Sequence, residues 1–300
     1  MERAPGIGEV LLQWTLNPLP LALLAAAVAG YARAFGRARL LGCEHPASRF
    51  AIYLGGLAAV FLAVASPVAA YADDLLWVNF TGFLLLTMVA PPLILLGAPL
   101  ILAFRASGPR GKRILRAIYR SRAVAVLTFP VTTWVTFAVV TYLWQFTPLT
   151  ELAARNWFAR DIQHLSLLFV GLLFWYPALA VDPMRWRLPY PLRALYVLVE
   201  MAHKALFGGM FLSMNQAMHS EFAARAPAWA PSPITDQRMA ILILWIGGSL
   251  IFLVGLISIV SGWIRYEERN QRRVDLRLRR EREAAARRRA ALEQVFQKPL

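Results

Sequence analysis

The chain has 300 residues, of which 58% are hydrophobic and only 16% charged, with a formal charge of +15. Soluble domains carry about a quarter charged residues, so a water-soluble globule is disfavoured. A bilayer crossing needs roughly 20 mainly apolar residues in a helix. Seven apolar stretches are candidates: Leu16–Tyr31, Phe50–Tyr71, Leu75–Phe104, Ala123–Phe146, His164–Val181, Leu192–Met218 and Met239–Ile264. Lipid offers the backbone no hydrogen-bond partner, which leaves helix bundles or closed barrels. These stretches are uniformly apolar, whereas barrel strands alternate. The expected fold is all-α: a polytopic membrane bundle of about seven helices over residues 1–265, then a charged cytoplasmic helical tail over 266–300.

In chain order, the first stretch lacks a basic leader and a small-residue cleavage site, so it reads as a span rather than a removed signal peptide. The loop after it carries Arg33, Arg37, Arg39 and Arg49, together with the single cysteine, Cys43. One cysteine excludes an intramolecular disulfide, and Cys43 beside His45 is a thin metal motif. Asp73 and Asp74 follow the second span. In the third, Pro91, Pro92 and Pro99 each remove a backbone donor and push the preceding residue away from helix. The expectation is a kink or break near Ala90, its freed carbonyls covered by neighbouring helices or an ion.

Seven basic residues between Arg105 and Arg122 form the third loop. The fifth span opens with Asp161 and His164, three apart, a spacing at which the carboxylate can orient the imidazole. Within the sixth, Glu200, His203 and Lys204 are ionisable groups where ions are costly. Glu200 and Lys204, four apart, share a helix face and can neutralise each other. Met210, Met214 and Met218 continue at four-residue spacing to His219. On a helix they form one stripe, either ordinary packing or, with His164, soft ligands suited to Cu(I). Asp236 and Gln237 precede the seventh span. From Glu267 to Val295 an Arg-, Glu- and Ala-rich run reads as a solvated helix that lies on the leaflet or docks a partner.

Lys and Arg crowd the first, third and fifth loops, while the opposite side has only Arg3, Arg155, Arg160, Arg225 and Arg238. That asymmetry places the N-terminus outside and the C-terminus inside the membrane. Topology and anionic lipid account for the positive charge, so no nucleic-acid partner is expected. No P-loop, dinucleotide fingerprint or nucleophile elbow occurs, and no nucleophile–base pair argues for an enzyme.

The string from Leu84 to Pro99, containing Val89-Ala90-Pro91-Pro92, resembles the CtaG-type cytochrome c oxidase assembly factors. So do Phe146-Thr147-Pro148-Leu149, His164-Leu165, Phe174-Trp175-Tyr176-Pro177, Asp182-Pro183 and Asp236-Gln237 with Trp245. The resemblance covers about residues 66–263. It implies a non-enzymatic membrane factor with oxidase subunits or another assembly factor as partners, assisting copper-centre maturation at the extracytoplasmic face. The family's histidines are mostly replaced here: Asn79 and Phe83 stand for a His pair, Gln145 for another, and Arg160 and Gln163 precede the one retained, His164. Asn and Gln offer hard oxygen and Phe offers nothing to Cu(I). A substitute copper site from His164, His219, Met210, Met214 and Met218, or a metal-free scaffold, are the two readings of that departure. A transporter of copper or another small solute is the competing class, resting on the proline-broken span and the Glu200–Lys204 pair; no second broken span is evident to match the first.

Overall fold

The computed structural model describes residues 5–296; Arg3 and residues 297–300 lie outside the described residues, as do the side chains from 287 onward. All regular elements among the described residues are helices. They are α1 (Ile7–Leu11), α2 (Pro18–Leu40), α3 (Ala47–Ala65), α4 (Pro67–Tyr71), α5 (Leu76–Leu84), a π turn (Leu85–Val89), α6 (Ala90–Leu96), α7 (Pro99–Ala106), α8 (Pro109–Arg120) and α9 (Arg122–Leu127). Next come α10 (Pro130–Phe146), α11 (Leu149–Arg155), α12 (Trp157–Leu179), α13 (Tyr190–Leu212), α14 (Ser220–Arg225), α15 (Pro233–Leu242), a second π turn (Ile243–Gly247) and α16 (Gly248–Phe296).

Among the described residues six helical stretches are long and apolar enough to cross a membrane, which makes this a multi-pass membrane protein. The fourth expected span is the exception. It is divided between α9 and α10, because Pro130 has no N–H to continue a helix from Thr128. The 17 residues of α10 rise about 25 Å, near the lower limit for a crossing. The chain divides into two compact units, Met1–Leu256 and Ile257–Leu300, within α16; the sequence boundary at residue 265 was drawn from charge. In the second unit, residues 263–286 are exposed and helical.

Two rims organise the first unit. Thr15 N–H bonds to Ala65 O at 3.0 Å, which sets the start of α2 beside the end of α3. That rim also gathers residues 71–77, 147–161 and 216–237 and is rich in acids. The opposite, basic rim holds residues 31–45, 97–106 and 180–186. There α8 is amphipathic and wholly unburied, with Ile114 and Ile118 exposed among its arginines.

The prolines do not break the third span where expected. At Pro91 and Pro92 the chain widens into the first π turn, with Ala90 N–H reaching Leu85 O, and continues as α6. Pro91 has no N–H to offer Thr87 O; the Trp175 indole N–H of α12 donates to that carbonyl instead, at 3.2 Å. This close approach needs Gly171, since a Cβ there would lie 2.7 Å from Pro91 Cγ and 2.9 Å from Thr87 O. The real break follows the 7 residues of α6, at Gly97–Ala98, where Ala98 takes a left-handed φ of 52°. Three of the groups freed at the break find partners. Tyr31 O–H donates to Gly97 O at 2.7 Å, while Leu100 and Ile101 N–H donate to the Asp182 carboxylate at 3.3 and 3.0 Å. The Tyr31 proton is thus committed, so His45 donates its Nε2–H to the Tyr31 oxygen at 2.9 Å.

A second π turn, unforeseen in the sequence, lies in the seventh span. Its end, Gly247, and the following Gly248 pack against Met88 of the first π turn and Leu84 just before it, where added Cβ atoms would meet side chains at 3.0 Å.

Candidate functional site

At the acidic rim, Asp236 is 4% exposed and accepts from Leu76 and Trp77 N–H, both at 2.9 Å. It caps α5 from 160 residues away, meeting the orphan donors and positive end of that helix. Gln237 beside it accepts from Met218 N–H at 2.7 Å and donates to Gln216 O, tying the loop after α13 to α15. Asp182 does for α7 at the basic rim what Asp236 does for α5.

Around α11 the rim is a polar network. Arg225 donates to Ala154 O at 2.8 Å and Arg160 to Ala153 O at 3.4 Å. Cations there meet the carbonyl end of the helix. Arg160 also pairs with Asp73 at 2.6 Å. Burial raises the Asp73 carboxyl to about 6 despite Arg160, and burial likewise raises Asp74. Arg155 pairs with Glu221. His219, 7% exposed, has Nε2 3.0 Å from Gln145 O and Nδ1 3.9 Å from Glu151. Burial lowers its pKa, so the ring is neutral and its Nε2–H donates to the carbonyl.

The expected metal set is not assembled. Because α13 ends at Leu212, Met214 and Met218 lie in the following loop, so the one-helix thioether stripe is corrected: Ser213 caps the end by bonding back to Met210 O. Met210 and Met218 are exposed. His164 lines a cavity against α2 and α3, while His219 sits on Gln145 and Glu151. Nor does Asp161 orient His164; its Oδ1 accepts from Asn17 Nδ2 at 2.8 Å. Among the described residues no three of His, Cys, Asp and Glu group as metal ligands. The residues standing where the resemblance places histidines serve otherwise. Asn79 bonds to Ala72 O, Phe83 is core and Arg160 is in the ion-pair network. Together these donors do not fit a copper centre. At the other rim Cys43 contacts Leu41 O and His45 serves Tyr31.

Inside the bundle, Glu200 is 1% exposed. His203 Nδ1 lies 3.3 Å and Lys204 Nζ 3.9 Å from its carboxylate. Tyr142 O–H reaches His203 Nε2 at 2.7 Å, and Lys204 sits over the Phe137 ring. Lys204, Tyr142 and Gln145 line a small cavity of about 40 Å³ that ends on Trp245. Sequence reasoning had the Glu200–Lys204 pair but missed Tyr142, whose α10 position carries no local sign of a partner on α13. It missed the capping roles of Asp182 and Asp236 as well, for which a lone acid near a proline is a faint signal.

No solved structure matches the chain significantly. Among curated proteins it is 29% identical to uncharacterized proteins of Mycobacterium bovis and Mycobacterium tuberculosis over 284 residues, and 28% identical to one of Mycobacterium leprae over 278. These alignments cover 90–92% of this chain but only 42–43% of the relatives, so the chain spans less than half their length. A family model matches residues 29–266, which takes in the proline-rich third span, the Trp175 contact and both capping aspartates. The chain belongs to the cytochrome c oxidase caa3 assembly factor (Caa3_CtaG) family.

Proposed function

We propose that the chain is a non-enzymatic assembly factor for a respiratory cytochrome c oxidase in a bacterial cytoplasmic membrane. Its N-terminus and acidic rim lie outside, its basic loops and charged C-terminal helix inside. The orientation rests on the Lys and Arg asymmetry of the connections and on amphipathic α8, whose exposed isoleucines and arginines suit a leaflet surface. Partners are oxidase subunits or another assembly factor.

Within that role we read the chain as a scaffold rather than a holder of copper. One observation carries this: the residues of the family strings are spent on joining helices. Trp175 covers a proline-freed carbonyl, Asp182 and Asp236 cap distant helices, and Gln237 pins a loop. In a deletion strain, oxidase polypeptides should be present but activity deficient; fully normal oxidase activity would remove the proposal. Purified protein should hold no stoichiometric copper. One copper per chain, lost on replacing His164 and His219 together, would restore the copper-site reading.

Transport draws support from the paired π turns and the buried Glu200–Lys204 pair beside a cavity. Solute flux into proteoliposomes that is unchanged by Glu200→Gln or Lys204→Met would remove it.

A further inference from the structure

At the basic rim an open groove of about 790 Å³ runs between the end of α2 and the corner where α7 meets α8. Arg33 and Arg37 line it from α2 and Arg110 from the start of α8, while Ala34, Ala103 and Ala106 add hydrocarbon. The Arg37 guanidinium reaches across to the corner, since a Cβ on Gly108 would lie 4.0 Å from its Nη2.

The side chains of these three arginines make no hydrogen bond or ion pair among the described residues. The two acids of this rim are engaged elsewhere. Asp182 accepts from Leu100 and Ile101 N–H, and Glu44 lines a separate pocket with Arg39. Arg33 and Arg37, four apart, share a face of α2, where like charges repel. A groove that gathers three cations without a counter-charge favours an anion. Guanidinium forks suit phosphate in particular, because they can bind it through two parallel hydrogen bonds.

The hydrocarbon around the groove decides the source of that phosphate. Only 6% of the apolar window of α2 is buried, so lipid chains reach this helix directly. On the other flank α8 presents Ile114 and Ile118, each more than half exposed, a pattern that suits the boundary between headgroups and acyl chains. A free phosphate or a soluble polyanion makes use of the arginines alone.

We infer that the groove binds the headgroup of one anionic glycerophospholipid, its phosphate held by Arg33, Arg37 and Arg110 and its acyl chains laid along α2. The volume falls in the range of small-molecule sites, roughly 300–1,000 Å³. A zwitterionic choline lipid brings a quaternary ammonium that the same arginines repel. One lipid at a fixed place goes beyond the general attraction of basic loops to an acidic leaflet, and it is independent of the oxidase role.

The test titrates phosphatidylglycerol, phosphatidylcholine with the same acyl chains, and inorganic phosphate into the full chain, delipidated in detergent. Native mass spectrometry counts the bound molecules. One phosphatidylglycerol binds per chain, about tenfold or more tighter than phosphatidylcholine, and phosphate at matched concentration does not displace it. Arg33→Gln with Arg37→Gln brings phosphatidylglycerol to the affinity of phosphatidylcholine. Arg113→Gln with Arg116→Gln removes the same charge from α8 outside the groove and leaves the preference intact. All four arginines are exposed, so neither double variant disturbs packing. Equal binding of the two lipids, a preference that survives the Arg33 and Arg37 changes, equal loss in both double variants, or displacement by phosphate would each overturn the inference.

Discussion

Gly171→Ala sets two opposing effects against each other. Replacing a helical glycine by alanine favours the helix by about 1 kcal/mol. At residue 171, however, the new methyl meets Pro91 Cγ at 2.7 Å, Thr87 O at 2.9 Å and Thr87 Cα at 3.1 Å. Two of those atoms are backbone and the third belongs to a proline ring, so none can swing aside. α12 has to move off the first π turn. Overpacking of this kind costs about 1–3 kcal/mol, and the shift also stretches the Trp175–Thr87 bond, worth about 1 kcal/mol. The net result is destabilisation by about 1–3 kcal/mol. Gly209, exposed on α13 with nothing within 4 Å of an added Cβ, is the control: alanine there gains up to about 1 kcal/mol. Unfolding of both variants in mixed detergent micelles, followed by tryptophan fluorescence, measures the difference. If Gly171→Ala is as stable as Gly209→Ala, the tight contact at the π turn is not what holds α12 in place.

The remaining expectations concern polar groups. Asp236→Ala leaves two N–H donors at the start of α5 uncapped and costs about 1–2 kcal/mol, read as a lower unfolding midpoint and faster amide exchange at Leu76 and Trp77; unchanged exchange would remove the tertiary cap. Glu200→Ala strands the buried Lys204 and costs about 3–5 kcal/mol, and adding Lys204→Met recovers most of that; a double variant as unstable as the single one would mean the two charges are not coupled. Asp73 holds its proton to about pH 6 in the folded chain but releases it near 3.8 when unfolded. Its stabilising contribution is therefore fully present below about pH 4 and lost as pH rises through 6. Asp73→Asn flattens that slope in thermal melts between pH 4 and 7, and an equal slope in the variant would place its origin elsewhere.

Composition and the run lengths of apolar residues were enough to establish a helical membrane bundle, because lipid leaves the backbone few alternatives. The Glu200–Lys204 pair was legible for a similar reason: four-residue spacing on one helix is a local geometry. Local geometry also explains the failures. The Met210–Met218 stripe required the helix to continue, and nothing in the spacing revealed that it ends at Leu212. At Pro91-Pro92 the missing N–H announced a kink or a break and a neighbouring helix to cover the freed carbonyl; that the kink is a π turn and the cover the Trp175 indole was not legible. The true discontinuity at Ala98 depends on Asp182, more than eighty residues away. Asn17 and Asp161 are 144 residues apart in the chain, so their hydrogen bond was decided by packing alone. The sequence by itself determined the lipid solvent and the helical fold. Which polar side chains cap or cover groups on distant helices was decided only by the tertiary structure, since those partners lie far apart along the chain.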